Sequence, residues 1–373
     1  MIKILEALAV FLGTIIGVGI FVLPYIALKA GFLVVLIYFL FLIILTTIVH
    51  FFLAEVSRDT NKVARIPGYA KEYLGKNWGR FSLIVSSLGL FGALLAYLII
   101  GGKFFALYFT PYFGGSESLY TLIYFVFGAI LIYKGIKSIV KTEIIMGLTF
   151  ALILLLFFSQ GLPFFRLENL LTFDAHYLIF PYGAVLFSLW GLSLVPEIKE
   201  MLERERKKLR LVISSGIALA GLFYLLFIFI ILGVSGHQTS PDALSGFASV
   251  IGDKVVRLGL VFGLLTTFTS FIALGLTLKR TFQYDLKLPE KTSWFITCFP
   301  PLLLYFLGVK NFIEIISLTG AVMLGLEAII VIFIYKNFLE KRFQRKPSFL
   351  IYPLAFLFLM GLVVQLFSPI LFK

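Results

Sequence analysis

The chain has 373 residues, 60% of them hydrophobic and only 14% charged, with a formal net charge of +13. Soluble domains carry roughly a quarter charged residues, so a water-soluble fold is excluded, and apolar stretches of membrane-spanning length recur from end to end. The basic residues fall in short clusters between those stretches, a pattern of membrane topology and not of nucleic-acid binding, and the single cysteine, Cys298, excludes an intrachain disulfide and a cysteine-based metal site.

Eleven spans are expected, at about 4–26, 31–55, 81–109, 118–134, 142–161, 176–196, 211–234, 255–278, 293–308, 312–335 and 348–370, each of the ~20 apolar residues that a bilayer requires. Lys3 precedes the first, and no small-residue cleavage motif follows it, so this run reads as a retained helix. With a cytoplasmic N-terminus, Lys3 and the segments 56–80, 134–141, 197–210, 279–291 and 336–346 hold 25 of the 32 basic residues. The others are Lys29, Lys103, Arg166, Lys254, Arg257, Lys310 and Lys373. That bias implies an inner-membrane protein with its N-terminus in the cytoplasm, its C-terminus outside and an odd number of spans. The cluster KEMLERERKKLR at 199–210 reads as a solvated inner loop, with lipid headgroup binding as the alternative.

Two spans carry interruptions. In the first, GTIIGVGIFVLP places Gly13, Gly17 and Gly19 mid-span ahead of Pro24. Each glycine costs about 1 kcal/mol against alanine in a helix interior, and freed backbone groups at membrane depth must be met by protein, water or a ligand. The sixth span has SLWGLSLVP at 188–196. Glycine precedes proline by the same interval in GIFVLP and GLSLVP, and spans one and six cross in opposite directions. The expected architecture is two inverted five-span repeats, 1–161 and 176–337, plus an extra helix at 348–370. The blander alternative for Gly13 and Gly17 is a small-residue helix-packing face.

Broken helices have a definite chemistry. A half-helix N-terminus presents unpaired amides and about half a positive charge, enough for a carboxylate. Freed carbonyls suit an ammonium or a small hard cation. A zwitterion the size of an amino acid matches both, and neither break contains Arg or Lys.

GTIIGVGIFVLPYIALKAGF (13–32), TTFTSFIALGLTLKRTFQYDL (266–286) and Pro196 after its small-residue break resemble the amino acid/polyamine/organocation superfamily, and within it the aromatic and hydroxy amino acid permeases and the amino acid/auxin permeases. The resemblance implies an all-α LeuT-type fold and ion-coupled symport of a neutral amino acid. It also implies that Ile15, Gly17, Val18 and Gly19 face Ser188, Leu189, Trp190 and Gly191 around the substrate. Gly13 and Ile16 carbonyls with Thr269 and Ser270 hydroxyls would coincide with the sodium site of sodium-coupled relatives. Those hydroxyls equally suit bonds to their own backbone. Trp190 and Leu192 depart from the smaller or polar residues usual there in aromatic permeases, and the tryptophan either stacks on a substrate ring or fills its place. Exchange, uniport, and ligand sensing of the germination-receptor type stay open beside symport.

Among intramembrane charges, Glu327 is a candidate proton carrier, or else a hydrogen-bonded structural glutamate. Tyr97 is a candidate cap for the substrate, or plain core. Glu6, Glu55, Glu143 and Glu197 read as solvated or ion-paired at inner helix ends, Lys103 as snorkelling outward, and His50 as packed. No nucleotide loop, HExxH or hydrolase triad is present, so no enzyme is expected, and no cofactor beyond a coupling Na+ or H+. The expected partners are an amino acid substrate and the lipid bilayer, with no nucleic acid; no oligomeric state is assigned.

Overall fold

The structure, a computed structural model, describes residues 2–59, 64–135, 139–202, 205–345 and 348–371, and every element among them is helical. The first apolar run is two helices, α1 (Ile2–Ile15) and α2 (Gly19–Ala30), bent by 53° at the residues between them. α3 (Phe32–Asp59) follows, then the short α4 (Ile66–Tyr73), which sequence patterning did not signal. α5 (Lys76–Phe113) has 38 residues, about 57 Å at helical rise, so it overruns the ~30 Å hydrocarbon core. α6 (Glu117–Lys134) and α7 (Ile139–Gly161) complete the first half.

The expected span 176–196 is not one helix. It contains α8 (Pro181–Ser188), a non-helical link, a single 3₁₀ turn at Leu192–Leu194 and then α9 (Val195–Met201). α10 (Leu209–Ser235), α11 (Leu244–Ile251), α12 (Asp253–Asp285) and α13 (Glu290–Phe306) follow. α14 (Phe312–Leu318) continues through a π turn at Thr319–Leu324 into α15 (Gly325–Phe343), and α16 (Ile351–Leu371) is the last described element. Among the described residues seven continuous helical stretches are long and apolar enough to cross a membrane, or eight if the bent α1–α2 pair is one span. Of the remaining expected spans, 176–196 is in pieces and α13 has 17 residues, while α16 is an apolar helix of 21 residues.

Burial separates an inner layer from an outer one. Nine of the twelve residues of α2 and seven of the eight of α8 are buried, and these two helices pack on each other. Elements this short, covered on all sides, belong to the centre of a bundle. α3 instead exposes Leu33, Ile37, Leu40 and Ile44, one stripe at helical spacing, and α7 does the same with Leu148, Leu152 and Leu155. Apolar stripes of this size facing outward suit lipid tails and not water.

Charged groups at the helix ends are paired. Glu55 meets Arg210 at 3.1 Å and Glu197 meets Arg65 at 3.3 Å. The snorkelling expected of Lys103 is not what the structure shows: its Nζ lies 2.5 Å from Asp242, a carboxylate 1% exposed beside α11 that also accepts from Ser240 and Ser245. A buried carboxylate needs a cation more than the cation needs water. The Glu143 side chain lies outside the described residues.

Candidate functional site

At the first interruption the helical ladder runs as far as the Ile16 amide, which donates to Leu12 O at 2.8 Å. The Gly17 amide then turns back onto Ile15 O, also at 2.8 Å, and α2 opens with the Ile20 amide donating to Gly17 O. Glycine is needed here for close approach. A Cβ on Gly17 would lie 1.9 Å from the Tyr97 hydroxyl oxygen, and one on Gly19 would lie 2.3 Å from Ser188 Oγ.

The second interruption lies alongside. The Leu189 and Trp190 amides still donate back into α8, to Val185 O and Phe187 O, whereas the Gly191 amide donates to His50 Nε2 at 3.2 Å. Tyr224 of α10 joins the two breaks. Its hydroxyl is 2.5 Å from Ile15 O and 3.0 Å from Ser188 O, the final carbonyls of α1 and α8. The Ser188 hydroxyl donates within its own helix, to Ala184 O.

Both breaks open onto one partly open cavity of about 980 Å³, a volume that includes the space at its mouth. Ile15, Gly17 and Gly19 form one wall, Ser188, Trp190 and Gly191 another, and α5 contributes Ser86 and Tyr97. Glu327 comes from α15 just after the π turn, where an added backbone residue re-aims side chains. It is 5% exposed and accepts from Ser86 Oγ at 2.5 Å and from Trp190 Nε1 at 2.9 Å. Trp190 is thereby committed to the wall. Arg65, the residue before α4, also lines the cavity. It donates to Thr277 O (2.9 Å), Thr281 Oγ1 (3.2 Å) and Glu197 Oε1 (3.3 Å), joining α4 to α12 and α9.

Of the residues singled out in the sequence, the cavity collects Ile15, Gly17, Gly19, Ser188, Trp190, Gly191, Tyr97 and Glu327. Val18 and Leu189 do not line it; both are 0% exposed and packed in the core, where they anchor the loosened segments. Gly13 and Ile16 line a second cavity toward α7, completed from α12 by Phe262 and Thr266. Neither Thr269 nor Ser270 lines that cavity; the Thr269 hydroxyl donates to Thr266 O and Ser270 is buried. Ser86, Tyr224, Arg65 and the hydrogen-bonding part of His50 were missed, because each acts across a large sequence separation and has no local motif.

A multi-span helical protein in which two interrupted helices border one cavity has the build of a membrane permease. The chain matches the tryptophan/tyrosine permease family over residues 1–370 and belongs to it; it is an amino acid permease and not an enzyme. It is similar to the tyrosine-specific transport system 1 of Haemophilus influenzae, with 25% identity over 336 residues that cover 83% of this chain and 81% of that protein. Among solved structures it resembles MhsT in complex with L-phenylalanine, with a TM-score of 0.70 and 16% identity, covering 98% of each chain. It also resembles Mhp1, a nucleobase-cation-symport-1 family transporter in a closed conformation with bromovinylhydantoin bound. There the TM-score is 0.68 and the identity 13%, over 97% of this chain and 89% of that one. At these identities the likeness speaks for a shared LeuT-type fold.

Proposed function

We propose that this permease is a cation-coupled symporter that imports a neutral, aromatic amino acid by alternating access and holds it between the breaks at 16–18 and 189–191. The observation that carries this reading is that two interruptions, neither with a cationic side chain, border one cavity whose cationic lining residue, Arg65, is already engaged with Thr277, Thr281 and Glu197. Backbone amides then hold the carboxylate and backbone carbonyls the ammonium, the arrangement expected where half-helices meet at mid-membrane. The side chain of the substrate would lie toward Tyr97, Phe187 and Trp190, and the tyrosine-specific relative supports an aromatic one.

Two coupling devices are candidates. Glu327 would carry a proton, since its carboxylate lines the same cavity. The alternative is Na+ held by Gly13 and Ile16 carbonyls with Thr269 and Ser270 hydroxyls, which would require those two hydroxyls to turn toward a cavity they do not line here. One charge moved through ~100 mV supplies ~2.3 kcal/mol, close to fifty-fold accumulation at about 1.4 kcal/mol per decade, so a single cation suffices. The accompanying topology is eleven spans, with α1–α2 as the broken first and α8–α9 as the broken sixth. These form inverted repeats 1–161 and 176–337 followed by 348–370, with the N-terminus cytoplasmic and the C-terminus outside the plasma membrane.

The test is a thermal-shift panel of the purified protein against common amino acids in sodium or choline buffer at two pH values, because a ligand that binds the folded state raises apparent stability. It is followed by uptake into proteoliposomes under imposed gradients. Stabilisation by aromatic amino acids and uptake that follows one gradient are expected. Uptake indifferent to both gradients would make the protein an exchanger or uniporter, and binding without flux would make it a sensor.

A further inference from the structure

His50 lies in the middle of α3 with 0% exposure, and both of its ring nitrogens are engaged. Nδ1 is 2.7 Å from the carbonyl of Thr46, one turn back on the same helix, and Nε2 is 3.2 Å from the Gly191 amide. A carbonyl only accepts and an amide only donates. The ring therefore carries its proton on Nδ1 and offers a bare lone pair at Nε2, which defines one neutral tautomer. The Gly191 amide is one of those released where α8 ends. Among the described residues the acceptor it has is this imidazole, and at membrane depth an amide without an acceptor is strongly disfavoured.

The same ring bears on the neighbouring side chain. It stands edge-on to Trp190, with centroids 5.6 Å apart at 73°, and edge-on to Phe11 at 6.0 Å and 77°. Trp190 in turn donates to Glu327. One side chain on α3 thus holds the backbone at Gly191 and one face of Trp190, and both of those residues line the cavity while His50 does not.

We infer that His50 is a positioning residue for transport, whose neutral imidazole holds the Gly191 amide and seats Trp190 so that the second break keeps the shape its substrate meets. The inference rests on the proposed amino acid site between the two breaks. It differs from a space-filling role in one respect: the lone pair at Nε2 is what matters, not the volume of the ring.

Three substitutions separate these roles. H50Q places an amide oxygen near the position of Nε2, H50N reaches only the position of Nδ1, and H50F keeps a ring without an acceptor. L-tyrosine and L-phenylalanine serve as probes for KM and kcat in proteoliposomes, with G19A as a control for the site itself. In a W78F/W294F background Trp190 is the single indole, so its emission reports its seating. H50F and H50N are expected to raise KM about tenfold, the size of one lost buried hydrogen bond, with kcat less affected, and H50Q to stay within about threefold of wild type. The emission of Trp190 should shift in H50F and H50N but not in H50Q. Wild-type KM and emission in H50F would overturn the inference, and so would an H50Q protein as impaired as H50F. If H50F does not fold, the H50N and H50Q pair carries the same comparison. G19A binding like wild type would remove the site, and His50's role with it; an impaired G19A beside an unaffected H50F counts against His50 alone.

Discussion

Tyr224 and Ile15 stand 209 residues apart in the sequence, and the phenol oxygen of one lies 2.5 Å from the carbonyl oxygen of the other. The same hydroxyl is 3.0 Å from Ser188 O. With one proton to give, it ties the ends of α1 and α8 together at the point where both helices stop. Tyr224→Phe is expected to destabilise the protein by about 1–2 kcal/mol, the range for one buried hydrogen bond. The thermal midpoint without ligand would fall, and the stabilisation by an amino acid would shrink with it. An unchanged midpoint and an unchanged ligand shift would remove Tyr224 from the site.

Gly17 and Tyr97 offer a paired test of crowding. A methyl at position 17 meets the Tyr97 hydroxyl oxygen at 1.9 Å but the ring carbon behind it only at 3.1 Å. Gly17→Ala should cut uptake about tenfold or more through steric displacement of either the break or the ring, and adding Tyr97→Phe should return part of the loss. Uptake assays on the two single variants and the double variant measure the coupling. Strict additivity of the two changes would argue that the predicted clash is absent in the working protein.

Glu327 accepts two hydrogen bonds that its replacements treat differently. Glu327→Ala leaves Ser86 and Trp190 without their acceptor and should weaken amino acid binding by roughly 1–3 kcal/mol. Glu327→Gln keeps one carbonyl oxygen and should bind nearer to wild type. If this carboxylate is the proton carrier, uptake by the glutamine variant no longer responds to a proton gradient. Uptake by that variant that still tracks the gradient would assign coupling elsewhere.

Arg65 joins three segments through a single guanidinium, and the second oxygen of Glu197 has no hydrogen-bond partner among the described residues. Arg65→Lys keeps the charge but not the planar fork that reaches Thr277, Thr281 and Glu197 together. Both Arg65→Lys and Arg65→Ala should increase labelling of a cysteine placed at Ser193, a residue on the cavity wall, by water-soluble thiol reagents. The background is a Cys298→Ser protein, since Cys298 is the native cysteine. Labelling rates equal to those of the parent would show that this contact does not restrict access.

The bundle and its first interruption are visible in one dimension, because glycines at 17 and 19 and Pro24 act on their own backbone. The break at 188–196 is legible for the same reason. His50, Ser86 and Tyr224 are not, since their partners are 141, 241 and 209 residues away, and nothing local distinguishes Tyr224 from sixteen other tyrosines. The pairing of Lys103 with Asp242 escaped for a related reason: hydropathy places a lysine near an interface but says nothing of an aspartate buried beside it. α4 and α11 are eight residues each, too short for periodicity to stand out from the loops that contain them.

Each oxygen of the carboxylate on α15 already holds one donor, a hydroxyl on one and an indole on the other. Each keeps a further lone pair, so a visiting molecule that brings its own donor to that corner would either join those residents or displace one of them. A guest there would be ranked against tryptophan and serine as well as against water.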